Sequence, residues 1–388
     1  MDSQVTSTDQ GHLRRALELA EGGRGRVSPN PLVGAVIVRE GEIIGEGFHA
    51  ELGGLHAERA ALEDCRRRGE DPAGATMYVT LEPCAHQGRQ PPCVEAILET
   101  GIGHVVIAAE DPSEKAAGRG PGILRDGGLE VAFASGAEAT AARRLNQPFR
   151  KHARTGLPLV VLKMAMSLDG QTTTAPGDSP WISGPESRDL VHKWRAESDA
   201  IAVGIGTVLA DDPLLTARIE GARQPQRIVF DSQARLPLDS QLLQTLDQAP
   251  VLVITAPDPR ANNISALKAA GAEVLIATDI ESALRELGRR ELTSLFLEGG
   301  QTLASAFVSA GHLDESRTFI APMLLGSQPN PTSRAGGTVG GTMSEEALAT
   351  GRHGGSPAVT GPARQTALSS STKTIGTDTL ITATYKEW

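Results

Sequence analysis

The chain has 388 residues, a formal net charge of −10 and three cysteines. That length exceeds one compact core and predicts two domains, while so few cysteines exclude a disulfide scaffold and point to a reducing, cytoplasmic setting. The acidic balance argues against a nucleic-acid partner, which needs a basic surface to neutralise phosphates, but leaves room for a small anion held by a few arginines.

Met1 to Gly11 is polar and lacks the basic and apolar regions of a signal peptide. No later apolar run reaches membrane-spanning length, so no membrane partner is expected. Leu13, Leu17 and Ala20 form the apolar face of a helix started by Asp9. Val33 to Val38 reads as a buried strand, which Gly41-Glu42 turns back through Ile43-Ile44. A helix from His56, a strand over Met77 to Leu81, a helix from Cys93, a strand over Val105 to Ala108 and a last strand–helix pair follow. This alternation predicts an α/β domain, one sheet with helices on both faces.

Three ligand-type residues fall at the turns of that series. His56-Ala57-Glu58 opens one helix, Pro83-Cys84 follows a strand, and Pro92-Cys93 opens the next helix. One imidazole and two thiolates make a three-ligand zinc centre, with the fourth tetrahedral position left for water. Glu58 need not bind metal and is placed to carry protons between that water and a substrate. A structural zinc site would be closed by four protein ligands and would leave Glu58 without a purpose. Cys65 has no partner at ligand spacing and reads as core packing. The arrangement is that of zinc-dependent base deaminases, except that eight residues, Ala85 to Pro92, separate the cysteines where two are usual. The longer loop brings His86 and Arg89 beside the metal, where they can meet a polar or anionic substrate. Asn30 either reaches the base edge of that substrate or serves a turn in Ser28-Pro29-Asn30-Pro31.

The polar, basic stretch from Asn146 to Gly156 predicts a linker, separating a domain over residues 1–150 from one over residues 157–388. A second β/α series starts at Leu159-Val160-Val161-Leu162, and no internal repeat relates the halves. Its candidate chemistry lies at Lys163 with Ser167-Leu168-Asp169-Gly170, at Gly204-Ile205-Gly206-Thr207, and at Glu298-Gly299-Gly300 before a helix from Gln301. Glycines between strand and helix either admit a phosphate-bearing cofactor to the backbone or serve packing alone. Residues 326–372, rich in Gly, Ser, Thr and Pro, predict a long mobile loop, and Thr379 to Tyr385 alternates like a strand returning to the sheet.

Ser28 to Gly34, His56-Ala57-Glu58, Thr80 to Cys93, Asp111-Pro112 and Ala117-Gly118-Arg119-Gly120 together resemble the bifunctional deaminase/reductase family of riboflavin biosynthesis. The eight-residue gap between cysteines sets that family apart from cytidine, guanine and tRNA-adenosine deaminases. Ala85, Gln90 and Ser113-Glu114 depart from its usual residues. The resemblance implies an N-terminal three-layer, cytidine-deaminase-like domain and a C-terminal, dihydrofolate-reductase-like α/β domain that uses NADPH. Zn²⁺ would be held by His56, Cys84 and Cys93, with Glu58 as the catalytic proton carrier and Asn30 and His86 at the substrate. Carried onto this chain, the family's cofactor positions are Ala165, Trp181, Thr207, Asp211, Ser232, Gly300, Gln301, Thr302, Leu303, Ala304, Ser305 and Ala306. Its substrate positions are Lys163, Ser179, Arg195, Leu215, Arg218 and Glu298. Two guanidinium groups, Arg195 and Arg218, suit a phosphate.

The implied activity is hydrolytic deamination of a diaminopyrimidinone ribosylamine 5′-phosphate, then reduction of its ribose to a ribityl group by NADPH. The implied partners are that small phosphorylated pyrimidine and other copies of the chain in a homo-oligomer. Two rivals fit less well. A nucleic-acid base deaminase would need a basic, aromatic-interleaved surface, and a non-catalytic zinc or NADP scaffold leaves Glu58 and the open fourth position unexplained.

Overall fold

Thr6, rather than Asp9, starts the first helix in the computed structural model, which describes residues 6–88, 90–114, 116–174, 181–258, 261–326 and 365–388. Thr6 Oγ1 accepts from the Asp9 N–H at 3.3 Å, and the Asp9 carboxylate accepts from the Thr6 N–H at 2.7 Å. Asp9 is thus the third helical residue of a reciprocal capping box. The helix it closes, α1 (Ser7–Ala20), buries Leu13, Ala16 and Ala20.

Five strands make the first sheet: β1 (Gly34–Arg39), β2 (Glu42–Phe48), β3 (Thr76–Val79), β4 (His104–Ile107) and β5 (Glu130–Phe133), in the order β2-β1-β3-β4-β5. The expected β1–β2 hairpin is antiparallel, β3 is antiparallel to β1, and β3, β4 and β5 are parallel. The helices of this half after α1 are α2 (Ala57–Arg68), α3 (Cys93–Glu99), α4 (Arg119–Asp126), α5 (Ala137–Leu145) and α6 (Gln147–Thr155). Successive strand residues face opposite ways, and the sheet uses both. Ile37, Met77 and Val79 share a core with Ala61, Ile97 and Leu124 of α2, α3 and α4, while Val36, Val38 and Tyr78 pack with Leu13 of α1 and Ala142 of α5. Three layers result, as expected. A Cβ on Gly47 would lie 2.3 Å from Ala61 N and 2.6 Å from Ala57 O, so only glycine lets α2 approach β2 this closely. That approach sets where His56 and Glu58 begin.

The stretch expected as a linker is helical. Helix α6 carries Arg150 and Lys151 at 1% exposure each. Arg150 bonds the Glu110 carboxylate at 2.6 Å and the Glu110 carbonyl at 2.9 Å, just past β4, and Lys151 bonds Asp314 in the second half. The partners lie 40 and 163 residues away, too far for a basic run to be recognised as buried from sequence.

Nine strands form the second sheet: β6 (Leu159–Ser167), β7 (Ala200–Gly204), β8 (Gln226–Phe230), β9 (Val251–Thr255), β10 (Glu273–Ile276), β11 (Ser294–Leu297), β12 (Glu315–Ala321), β13 (Ser369–Ile375) and β14 (Asp378–Thr384). Their order is β10-β9-β8-β7-β11-β6-β12-β14-β13. All pairs up to β12 are parallel, and β14 and β13 close the edge antiparallel. The accompanying helices are α7 (Pro185–Glu197), α8 (Ile205–Asp211), α9 (Gln241–Gln244), α10 (Ala261–Ala269), α11 (Ile280–Arg289) and α12 (Gln301–Ser309). Central strands such as Ala200–Gly204 and Ser294–Leu297 are near-continuous apolar runs because both faces are covered. Of the predicted mobile loop, residues 327–364 lie outside the described residues. Its end is not loop: Ser369 to Thr372 belong to β13. Ser and Thr there read as loop composition, yet an exposed edge strand pairs through its backbone and tolerates polar side chains on both faces. Among the described residues no helix is long and apolar enough to cross a membrane.

Candidate functional sites

His56 is the N-cap of α2 but makes no side-chain cap, because its ring turns to the two cysteines. Nδ1 lies 3.5 Å from Cys84 Sγ and 3.4 Å from Cys93 Sγ, and the three ligand atoms fall within 4.8 Å of one another. A tetrahedral zinc with bonds of about 2.3 Å to sulfur and about 2.0 Å to nitrogen holds S and N roughly 3.5 Å apart. The donor set therefore fits zinc. Cys93 opens α3 and donates its N–H to Cys84 Sγ at 3.3 Å. A hydrogen bond from Cys93 pulls the Cys84 thiol down to about 4, with His56 helping against burial. The bond to Cys84 in turn raises His56, and Cys93 is pushed up by its bond to Cys84 and by burial. Metal binding takes both sulfurs as thiolates and releases their protons. Cys65 is fully buried in the α2 core, as expected.

Glu58, in the first turn of α2, is 4% exposed. Burial first, and the Cys84 charge second, push its carboxyl up to about 7, and it bonds the Cys93 thiol. Three supports around the cluster were not anticipated. His49, 3% exposed, lies edge-on to His56 with ring centroids 5.4 Å apart. Its Nε2 is 3.1 Å from Asn30 Nδ2, so the loop before β1 does bring Asn30 to this site. Glu82 holds the Cys84 turn from behind, accepting from the Gly118 N–H at 3.2 Å. At Gly120 an added Cβ would sit 2.2 Å from the Pro83 carbonyl, so glycine permits the helix after that turn to seat against it. Third, Arg59 Nη2 bonds the Pro92 carbonyl at 2.9 Å, pinning the long inter-cysteine loop. His86 stands exposed on that loop, and Arg89 lies outside the described residues. The available signal was His49-x6-His56 flanking the zinc motif, which a ligand-spacing reading passes over.

In the second half the candidate residues gather at the carboxyl ends of β6, β7 and β11, the usual place for ligands in a parallel sheet. Glu298 follows β11, with its N–H on the Ala202 carbonyl at 2.9 Å. Arg195 of α7 meets its carboxylate twice, at 2.6 and 2.9 Å, and gives Nη1 to the Thr216 carbonyl at 3.1 Å. Of the two arginines expected to grip a phosphate, Arg195 is bonded to Glu298 and Arg218 is exposed, and the charges of both act on His192. Burial is the largest single influence and favours the neutral acid, yet the Arg195 charge and hydrogen bonds, with the charge of Lys163, together outweigh it and hold Glu298 below the ordinary carboxylate value. Burial likewise lowers the Lys163 amine, against the pull of Glu298. Leu215 and Arg218 adopt φ of 55° and 54°, a left-handed backbone that costs an L side chain roughly 1–2 kcal/mol.

Helices α8 and α12 start side by side. A Cβ on Gly300 would lie 3.9 Å from Thr207 Oγ1, and one on Gly204 would lie 3.7 Å from Leu303 Cβ. Gln301, Thr302, Ser305 and Ala306 are exposed on α12, whereas Ala304 packs into the core. Ala165 is half-buried on β6, and Asp211 and Ser232 are exposed at the same edge after β7 and β8. Trp181 is exposed with the Arg188 guanidinium 5.1 Å from its ring centre; Ser179 lies outside the described residues. Asp169 accepts from the Leu325 and Gly326 N–H groups at 3.2 and 2.7 Å, which ties the turn after β6 to the chain past β12. His192, one turn before Arg195, was missed; its Nδ1 is buried without a hydrogen-bond partner, and burial and Arg195 hold the ring below its ordinary value.

Comparison with known proteins covers both halves. The cytidine and deoxycytidylate deaminase zinc-binding region matches residues 6–109, and the RibD C-terminal domain matches residues 158–346. The riboflavin biosynthesis protein RibD of Actinobacillus pleuropneumoniae is 42% identical over 86% of this chain and 89% of its own. That of Escherichia coli strain K12 is 41% identical over 82% and 89%. The solved RibD structure from Acinetobacter baumannii, form 1, superposes with a TM-score of 0.79 at 36% identity, over 98% of this chain and 99% of that one. A Thermotoga maritima structure described as a diaminohydroxyphosphoribosylaminopyrimidine deaminase/5-amino-6-(5-phosphoribosylamino)uracil reductase gives 0.79 at 33% identity over the same shares. Likeness that runs unbroken through both sheets admits one conclusion: the chain belongs to the RibD family of bifunctional riboflavin biosynthesis deaminase/reductases.

Proposed function

We propose that residues 1–150 remove the amine from a diaminopyrimidinone carrying a ribosylamine 5′-phosphate, and that residues 157–388 reduce the ribose of the product. The observation that carries this is the His56, Cys84, Cys93 triad with a buried, non-ligating carboxyl beside it. Zinc held by the triad supplies an activated water near neutral pH. Glu58, raised by burial to about 7, is matched to both taking and giving a proton at that pH. It accepts one proton from the attacking water and passes it to the ring nitrogen; once that oxygen is bonded to the ring carbon, it takes the remaining hydroxyl proton and hands it to the amine, whose C–N bond breaks to release ammonia. Asn30 and His86 flank the pyrimidine.

In the second site NADPH supplies the hydride. The chain's part is to hold the reactants in line and exclude water. Glu298, fixed by Arg195, and Lys163 face the sugar; Leu215 and Arg218 follow it towards the phosphate. Thr207 and the start of α12 present side chains and free N–H groups to the cofactor, a surface suited to its phosphates, with Ala165, Trp181, Asp211 and Ser232 around it. Self-association into a homo-oligomer and a cytoplasmic setting belong to the same reading, and light scattering tests the first. The central experiment is incubation of purified protein with the diaminopyrimidine substrate, with and without NADPH, and identification of products by mass. Ammonia and a uracil should appear without NADPH, and the ribityl product only with it. Release of ammonia from single-stranded DNA or tRNA instead would sink the assignment.

A further inference from the structure

The loop that carries Asn30 is seated partly from outside its own domain. It joins the short 3-10 helix Glu21–Gly23 to β1. At one end Gly25 has φ of 75°, and a Cβ there would lie 2.8 Å from the Ala196 carbonyl near the end of α7. At the other end Asn146 takes the Leu32 N–H and gives its amide to the Leu32 carbonyl, both at 2.8 Å. Between them Ser28 Oγ lies 3.2 Å from Thr293 Oγ1, at the head of the strand that leads to Glu298. The direction of that bond follows from chemistry. Thr293 Oγ1 is also 2.8 Å from a carboxylate oxygen of Asp199, which can only accept. Thr293 therefore donates to Asp199 and accepts from Ser28. Asp199 is 2% exposed and further fixed by the Thr293 N–H at 2.8 Å and by Arg223 at 3.0 Å.

Asn30 sits two residues past Ser28. His49 Nδ1 is 2.9 Å from the Leu55 carbonyl, so that nitrogen carries the ring proton and Nε2 accepts from the Asn30 amide. Asn30 Oδ1 is then the acceptor left for a substrate N–H. We infer that Thr293, backed by Asp199, is a positioning residue for deamination supplied by the reductase half, acting through Ser28 on the loop that presents Asn30. The inference rests on the reading of Asn30 as a pyrimidine contact.

The test uses the full-length zinc enzyme. Thr293→Val keeps the branched shape and removes the hydroxyl. One neutral hydrogen bond corresponds to about a fivefold change, and losing a contact common to ground and transition states raises KM alone. The expected result is deamination KM up about fivefold with kcat retained, and unchanged KM and kcat for reduction of supplied deaminated intermediate. Ser28→Ala should match it, the double variant should be no worse, and Thr293→Ser should restore the wild-type value. Asn30→Ala should raise deamination KM at least as much. If Asn30→Ala is impaired while Thr293→Val and Ser28→Ala are not, the seating role is wrong and the Asn30 reading stands. If Asn30→Ala deaminates normally, the Asn30 reading falls and takes the seating role with it. An equal fall of kcat in both reactions of Thr293→Val would mean general damage and would also overturn the inference.

Discussion

Glu58 and the three ligands occupy one cluster, yet their substitutions should separate cleanly. Cys84→Ser or Cys93→Ser removes a ligand, so metal analysis should fall from about one zinc per chain towards zero, because zinc sites of this kind need all three protein donors. Cys65→Ser should keep its zinc, since that thiol lies in the α2 core; equal loss in all three variants would refute the ligand set. Glu58→Gln keeps shape and ligands but cannot carry a proton. Deamination should drop about 10²–10⁴-fold, with zinc retained and reduction of supplied deaminated intermediate intact. A Glu58→Gln enzyme that still releases ammonia at the wild-type rate would move the proton carrier elsewhere.

Helix α7 is tied to the end of β11 by the ion pair of Arg195 with Glu298, at 13% and 10% side-chain exposure, beside the Trp194–Phe296 ring contact. Arg195→Met leaves a buried carboxylate without its partner, which should cost about 3–5 kcal/mol of stability, read by urea unfolding. The pH dependence should change sign. In the native protein Glu298 lies below its ordinary value, so its contribution is present above the ordinary carboxylate range and is lost as pH falls through the lowered value. Without Arg195, burial is opposed by the weaker pulls of Lys163 and His192, so the carboxyl should rise and the variant should gain stability when acidified from pH 7. Parallel pH curves for the two proteins would show that the pair does not set this charge. None of this pairing was legible in the chain: Glu298 looked like an unexplained charge at a strand end, because its partner is 103 residues away.

The two halves are joined by buried charge instead of a loose tether. Lys151 of α6 meets Asp314, which also takes the Val160 N–H at 2.8 Å and the Trp388 indole N–H at 3.1 Å. The three tryptophans, 181, 194 and 388, all lie in the second half, so their fluorescence reports that sheet while zinc release reports the first. Both signals should change together on heating the native protein. Lys151→Met removes one partner of a buried pair, should cost about 3 kcal/mol, and should pull the two transitions apart. Coincident transitions in the variant would mean that other contacts join the halves.

What the chain determined alone was everything carried by short spacing or periodicity. The strand and helix order of the first half, the hairpin at Gly41, the triad with Glu58, and the two strand–glycine–helix turns of the second half all follow from residues within one or two elements of each other. The family likeness rests on those same local runs. Only the folded chain decided which distant polar and charged groups pair. Arg150 with Glu110, Lys151 with Asp314, Arg195 with Glu298 and Ser28 with Thr293 have no signature in sequence. The reason is physical: a charged or polar side chain reads as solvated until a partner from elsewhere removes water from it. Its burial is a property of the tertiary contact and not of the residue.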